Sequence, residues 1–156
     1  MPDVELAPMT GEAYSVWLAR TIPEYAAEHV ASGRWTEEES LARSQREFDE
    51  LLTDGRSTPG HELWTVRDEN GADVGVLWVA RLERRPGHAF IYDIWIAPER
   101  RGEGFGTAAL SSLEEWAREN GITSIGLHVF GQNEGARRLY RRFGYVETNI
   151  QMEKQL

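Results

Sequence analysis

The stretch that decides the fold is residues 94–107, which read Ile-Trp-Ile-Ala-Pro-Glu-Arg-Arg-Gly-Glu-Gly-Phe-Gly-Thr. This order predicts the end of a β-strand, a turn stiffened by Pro98, a glycine-rich loop and the start of a helix. Such a loop presents backbone N–H groups at the positive end of a helix dipole, where a phosphate group is favoured. Glycine also lets the backbone approach a ligand closely. The stretch therefore points to a ligand that carries a pyrophosphate.

The spacing of the glycines excludes the two most familiar nucleotide-binding loops. A Walker loop needs Gly-Lys-Ser/Thr after its glycines, whereas Phe105-Gly106-Thr107 stands here without a lysine. The dinucleotide fingerprint G-x-G-x-x-G opens a long βαβ unit. Gly102, Gly104 and Gly106 instead form G-x-G-x-G, and only 50 residues follow them. A different pyrophosphate ligand is therefore expected.

A second motif lies about 30 residues farther along, in residues 125–145, which read Ile-Gly-Leu-His-Val-Phe-Gly-Gln-Asn-Glu-Gly-Ala-Arg-Arg-Leu-Tyr-Arg-Arg-Phe-Gly-Tyr. Arg-Gly-x-Gly-x-Gly opening a helix, then a strand, then Asn-x-x-Ala-x-x-Leu-Tyr-x-x-x-Gly-Tyr, resembles the GNAT superfamily of acetyl-CoA-dependent N-acetyltransferases. The resemblance is clearest from about Phe90 to the C-terminus, a little under half of the chain. Two motifs in this order and at this separation are much more specific than the glycine loop alone.

The resemblance implies a fold and an activity. The fold is a single α+β (mixed α/β) domain over residues 1–156, with a central, mixed but mostly antiparallel sheet flanked by helices. Two neighbouring parallel strands splay apart around acetyl-CoA, and an acetyl group passes to a primary amine by direct attack in a ternary complex. Two alternatives stay open: transfer of a longer acyl group, and a catalytically silent CoA- or acyl-CoA-binding sensor or interaction module.

The resemblance also assigns cofactor-binding residues. The pantetheine arm is expected to pair with the backbone of Ile94 and Ile96, and Asn133 and Ala136 of the second motif are expected beside it. As a plain helix N-cap, Asn133 would need no ligand at all. The pyrophosphate is expected on the glycine loop, formed by Arg101, Gly102, Glu103, Gly104, Phe105, Gly106 and Thr107.

Three residues are candidates for the chemistry. Tyr140 holds the place of the tyrosine that often acts as general acid in this family, and a phenol stays protonated at neutral pH and can donate to a thiolate. The general base is either His128, whose ordinary pKa suits proton removal near pH 7, or Asp93. Asp93 is a lone carboxylate in an otherwise apolar strand, where burial without a partner is costly.

Composition limits the partners. The chain has no cysteine, and none of its four histidines lies in a metal-ligand spacing, so no metal cofactor is predicted. The net charge of −9 argues against nucleic acid and favours steering of a cationic amine, either a small amine or a peptide amine. No apolar run approaches the roughly 20 residues that span a bilayer, and no secretory signal is visible, so a cytoplasmic protein is expected.

Periodicity and capping residues predict the secondary structure in order along the chain. Thr36 and Glu39 carry a capping-box signature, and Asn70-Gly71 carries a hairpin signature. Many small proteins of this family pair through sheet edges or helices, so the final strand expected at 145–154 is the candidate edge for a homodimer. Predicted helices cover residues 10–20, 23–33, 36–54, 104–120 and 133–143, and predicted strands cover residues 61–67, 74–82, 88–96, 122–130 and 145–154.

Overall fold

A computed structural model describes all 156 residues and contains a five-stranded sheet with four helices. The predicted mixed α/β class is confirmed. No helix combines the length and apolar character needed to cross a membrane. The elements are β1 (Val4–Pro8), α1 (Gly11–Ala31), α2 (Glu37–Leu51), β2 (His61–Asp68), β3 (Asp73–Arg81), β4 (His88–Ile96), α3 (Phe105–Glu119), β5 (Ser124–Leu127) and α4 (Glu134–Arg142).

The strands lie in the order β1-β2-β3-β4-β5. The first three pairs are antiparallel and β4 pairs with β5 in parallel. The predicted hairpin between β2 and β3 is present, and Gly71 adopts the positive φ (+80°) that such a turn requires. The parallel pair follows from the crossover through α3, because a helix between two strands returns the chain in the same direction.

Each face of the sheet carries its own core. Val66 and Leu77 point toward α3 and pack with Leu110 and Leu113, all of which are fully buried. The opposite face packs against α1 and α2 through an aromatic cluster that contains Trp17, Phe48 and Trp78. The alternation of side chains along β2 and β3 produces this division, since successive residues of a strand face opposite sides.

The helices differ from the prediction at one place. The two short helices expected at 10–20 and 23–33 form the continuous helix α1, which includes Pro23. Packing overrides the proline, because Trp17, Ile22 and Ala26 bury one face of α1, and the buried Ser44 hydroxyl of α2 donates to the Ile22 carbonyl at 2.7 Å. The predicted capping box of α2 is confirmed, with hydrogen bonds between Thr36 and Glu39 in both directions.

Three strand predictions need correction. Strand β1 was not predicted, although its five residues pair with the whole of Trp64–Asp68. Strand β5 ends at Leu127 and not at residue 130, because the chain turns away from β4 there. The strand predicted for 145–154 is absent: this segment pairs with no strand, and Val146 and Met152 are largely exposed. The reason to expect dimer contacts at that segment is therefore gone, and the outer strands are β1 and β5.

Candidate active site

The sheet opens between its two parallel strands. Strands β4 and β5 pair only from His88–Ser124 to Ile91–Leu127. Strand β4 then continues to Ile96, whereas the chain after Leu127 leaves the sheet. The outer edge of β4 from Tyr92 onward therefore has no strand partner. An unpaired strand edge is a template for an extended ligand that carries amide groups.

A β-bulge marks the point where the opening begins. Trp78 of β3 lies opposite Asp93, but the next residue, Val79, lies opposite Ile91, so Tyr92 is the extra residue of β4. Bulges re-aim side chains and are frequent near active sites. This one falls between the part of β4 that pairs with β5 and the part with a free edge, and it sets the direction of Asp93.

The glycine loop lies directly after β4. The backbone N–H groups of residues 102–107 make no hydrogen bond within the chain, and residues 105–107 form the first turn of α3. Gly102 and Gly104 adopt φ values of +81° and +90°, which favour glycine. Six consecutive free donors at a helix N-terminus are an arrangement that favours an anion, and the assignment of a pyrophosphate to it stays a prediction.

The side chains of the loop hold its shape. Arg101 donates through Nε to the Ile96 carbonyl at 2.9 Å, which closes the turn after β4. Arg100 lies 3.2 Å from Asp68 and 3.0 Å from Glu103, so its charge is already paired. Phe105 is buried in the core below the loop. The terminal nitrogens of Arg101 make no bond within the chain and are the free cationic group of the loop.

Beside the opening lies a cavity of about 380 Å³ that touches β4, the end of β5, α1, α2 and α4. It brings together all three candidates for the chemistry, Asp93, His128 and Tyr140. Three predicted cofactor residues, Ile94, Asn133 and Ala136, line it as well, whereas Ile96 and the loop residues 101–107 lie outside it. For both groups of residues, contact with a cofactor stays a prediction.

Helix α4 presents Tyr140 and Asn133 to this cavity. The Asn133 side-chain oxygen caps the helix by accepting from Ala136 N at 3.2 Å, which leaves its amide NH₂ free of partners within the chain. Tyr140 is half-buried and contacts the ring of Tyr145 edge-on. Burial, followed by the negative charge of Asp93, raises the pKa of Tyr140 well above its usual value. Tyr140 is therefore a protonated hydrogen-bond donor at any physiological pH.

The two candidate bases differ in their surroundings. The Trp17 indole donates to Asp93 Oδ2 at 2.9 Å, and burial raises the pKa of Asp93 despite this hydrogen bond and the nearby Arg20. Burial, and then the positive charge of Arg34, lowers the pKa of His128. Both shifts suit a base: a carboxylate becomes a stronger one, and the imidazole is neutral at pH 7.

The sequence did not single out the wall that α1 and α2 contribute. Thr21, Glu24, Tyr25 and Glu28 all face the cavity from α1, and Glu47 faces it from α2. The spacing i, i+3, i+4, i+7 of the α1 residues was the available signal, since it places them on one helix face. These residues form a polar stripe along α1, but the sequence predicted two separate helices there, so the stripe was not recognised. No group of three or more His, Asp or Glu side chains is arranged to hold a metal ion.

The splayed parallel strands, the bulge and the loop of free N–H groups together define a class of domain that binds an extended ligand ending in a pyrophosphate. Comparison with known proteins agrees. The description "Acetyltransferase (GNAT) family" applies to a family model that matches residues 24–145, and the chain belongs to this family. Acetyltransferases of the family use acetyl-CoA and act on amine acceptors.

Three relatives show the extent of the similarity. The uncharacterized N-acetyltransferase YycN of Bacillus subtilis strain 168 is 38% identical over 98% of this chain and 99% of its own. Its crystal structure superposes with a TM-score of 0.94, covering 98% of both chains. The uncharacterized N-acetyltransferase YdgE of the same strain is 36% identical over 97% of each chain. A mycothiol acetyltransferase of Kytococcus sedentarius is 28% identical over 98% of this chain and 51% of its own.

Proposed function

We propose that this protein transfers an acetyl group from acetyl-CoA to a primary amine by direct attack in a ternary complex. One observation carries the proposal: a free strand edge, a carboxylate and a half-buried phenol surround one cavity. Family membership makes an acetyltransferase the expected class. The reaction needs a polarised thioester, a neutral amine and a stabilised thiolate, and residues around the cavity offer a group for the last two.

The chain's own groups fit acetyl-CoA. The unpaired N–H groups of residues 102–107 and the free guanidinium end of Arg101 suit the pyrophosphate. The unpaired edge of β4 around Ile94 and Ile96 suits the amides of the pantetheine arm. The edge and the anion site adjoin each other in the chain, so one extended molecule can contact both.

Asp93 is proposed to take the proton from the amine. Its carboxylate lies on the cavity wall, is fixed at one oxygen by Trp17, and has a raised pKa that makes it a stronger base. His128 is the alternative base, and it also lines the cavity, near Arg34. Removal of the proton leaves a lone pair that forms the new N–C bond to the acetyl carbon.

Tyr140 is proposed to stabilise the departing sulfur. As the C–S bond breaks, the electron pair passes to sulfur, and the phenol donates a hydrogen bond or its proton to the thiolate. The raised pKa of Tyr140 favours the hydrogen bond over complete transfer, because a thiol has a pKa of only about 8.5. The nitrogen loses a second proton as the amide forms and the sulfur takes up this proton, so the products are the acetylated amine and the free thiol of CoA.

The test is release of CoA thiol by the purified protein with acetyl-CoA and a panel of amines. Amine-dependent release, together with the acetylated amine by mass spectrometry, is the expected result. Binding of acetyl-CoA without release with any amine would instead indicate a silent binding module. Faster thiol release with a longer acyl-CoA than with acetyl-CoA would show that the transferred group is the longer acyl chain. The panel includes small amines and peptide N-termini, since the net charge of −9 favours cationic acceptors generally.

A further inference from the structure

The acceptor side of the cavity carries an excess of negative charge. Four carboxylates line it, those of Glu24, Glu28, Glu47 and Asp93, against the single guanidinium of Arg34. Two of the carboxylates are already engaged: Glu24 pairs with Arg20 at 3.0 Å, and Glu47 accepts from the Tyr25 hydroxyl at 2.8 Å. The other two, Glu28 and Asp93, have no cationic partner within hydrogen-bond distance.

Nearby negative charges act on both of these carboxyl groups. Burial, and then the charges of Asp93 and Glu24, raises the pKa of Glu28. Burial likewise raises the pKa of Asp93, and the negative charge of Glu24 raises it further. Repulsion of this kind between carboxylates is relieved when a cation lies beside them. A ligand with a single reacting amine satisfies Asp93 but leaves Glu28 without a counter-charge.

A second, independent observation points to a ligand with several donors. Thr21 and His29 are 7% and 6% exposed, and both line the cavity. The Thr21 hydroxyl and both ring nitrogens of His29 make no hydrogen bond within the chain. Buried polar groups are nearly always paired in native proteins. Burial lowers the pKa of His29, so the ring is neutral and offers an acceptor nitrogen. The α1 wall therefore presents neutral acceptors beside its carboxylates.

Another part of the cavity wall is aromatic. Phe48, Trp78 and Tyr92 line the cavity, and the last two rings stack at 4.6 Å. Such walls suit a chain of methylene groups, whereas the hydroxyl groups of an amino sugar would lose their hydrogen bonds to water there. Aromatic faces also attract an ammonium group.

We infer that the acceptor is an aliphatic diamine or polyamine: one amine reacts beside Asp93, and a second ammonium group binds Glu28 and Thr21 on α1. This substrate class rests on the proposed acetyltransferase function. The methylene chain between the two amines contacts the aromatic wall, and the second amine donates to the Glu28 carboxylate and to the unpartnered Thr21 hydroxyl.

The test compares α,ω-diamines of three to six carbons with alkylamines and amino alcohols of equal length, by thiol release with acetyl-CoA. For the best length, kcat/KM is expected to be about 10- to 100-fold higher for the diamine, the effect of one hydrogen-bonded charge pair. In Glu28→Gln this ratio falls toward one. Glu50→Gln is the matched control, because Glu50 is exposed on α2, has no ion pair and lies outside the cavity.

The possible results separate the diamine assignment from the acetyltransferase function. Equal kcat/KM for diamines and monoamines, or a ratio that Glu28→Gln leaves unchanged, overturns the diamine assignment and leaves the acetyltransferase intact. Calorimetry with the same compounds and CoA-loaded protein supplies a readout that needs no turnover. If Glu28→Gln weakens diamine binding but no amine causes thiol release, the acetyltransferase function is overturned. Recognition of the diamine by Glu28 is then still supported. Absence of diamine binding and of diamine turnover overturns the inference.

Discussion

The indole Nε1 of Trp17 donates a hydrogen bond of 2.9 Å to Oδ2 of Asp93, joining residues 76 positions apart in the chain. Trp17 is itself almost fully buried among the aromatic rings between α1 and the sheet. It therefore holds the Asp93 carboxylate by one oxygen and leaves the other available to a ligand. A donor to the ionised form also lowers the pKa of the carboxyl, which partly offsets the effect of burial.

Replacing Trp17 by phenylalanine should move the acidic limb of kcat/KM to higher pH. The change removes the hydrogen-bond donor that favours the ionised carboxylate, so the pKa of Asp93 rises further. The base is then deprotonated only at a higher pH. The smaller ring should also lower the free energy of unfolding by about 1–3 kcal/mol, which urea denaturation measures. Trp64→Phe is the control, since Trp64 is buried in the other core. A similar displacement of the limb in Trp64→Phe would refute a specific role for the Trp17 hydrogen bond.

Tyr140→Phe should lower kcat by about 10- to 10⁴-fold, the range expected for loss of an acid catalyst. The affinity for CoA should change little, because the ring keeps its packing. Tyr145→Phe is the matched control: Tyr145 contacts Tyr140 edge-on, lies outside the cavity and has a pKa that burial raises to about 12. Single-turnover measurements should report the chemical step. An unchanged chemical step in Tyr140→Phe would remove the phenol from the mechanism.

The general base is decided by the pH profile of two variants. If Asp93 accepts the amine proton, Asp93→Asn loses the acidic limb and most of its activity, whereas His128→Ala keeps the limb. The position of the limb alone is a weak guide, because burial raises the pKa of Asp93 and lowers that of His128. Amines of different basicity should leave an enzyme-derived limb in place. Loss of the limb in His128→Ala but not in Asp93→Asn would make the histidine the base.

Thr107→Glu should weaken CoA binding by about 10- to 100-fold without lowering stability. Thr107 lies in the first turn of α3, where a carboxylate interacts favourably with the helix dipole. The same charge repels a pyrophosphate held by the N–H groups of residues 102–107, by roughly 1–4 kcal/mol near a protein surface. Thr107→Gln has nearly the same shape without the charge and should bind CoA normally. Equal affinities of the two variants, measured by calorimetry, would place the pyrophosphate elsewhere.

Local signals in the sequence predicted the parts of the fold that depend on few neighbours. The glycine loop, the capping box of α2 and the β2–β3 hairpin each follow from residues within six positions of one another. The candidate residues Asp93, His128 and Tyr140 also meet in one cavity, since a resemblance to a known family carries long-range information that periodicity lacks.

The remaining parts depend on packing between distant segments. The path of α1 through Pro23 is stabilised by contacts with α2, including the bond from Ser44 to the Ile22 carbonyl. Strand β1 exists because an edge of β2 is free to pair with it. The segment after α4 has alternating apolar residues typical of a strand, yet it pairs with no strand of the sheet. A pattern predicts which strand a segment can form, but pairing needs a partner.

Stability should fall as the pH is lowered from 8 to 5.5, because burial lowers the pKa of all four histidines, His29, His61, His88 and His128. For a histidine with a lowered pKa in the folded state, the unfolded chain binds the proton first. The stabilising contribution of the neutral ring is therefore complete above the unfolded pKa near 6.5 and is lost as the pH falls below it. Urea midpoints at several pH values measure this loss.

His29→Phe should flatten that pH dependence and raise stability at pH 5.5. The His29 ring stacks on Trp35 at 3.8 Å and contacts Tyr25 and Phe130 edge-on, so a phenyl ring fits the same aromatic surroundings. The change also removes two buried nitrogens that have no hydrogen-bond partner in the chain. Raised pKa values of Glu28 and Asp93 act in the opposite direction, but they are common to both proteins and cancel in the comparison. Identical slopes of midpoint against pH in the two proteins would show that His29 takes no part in the acid sensitivity.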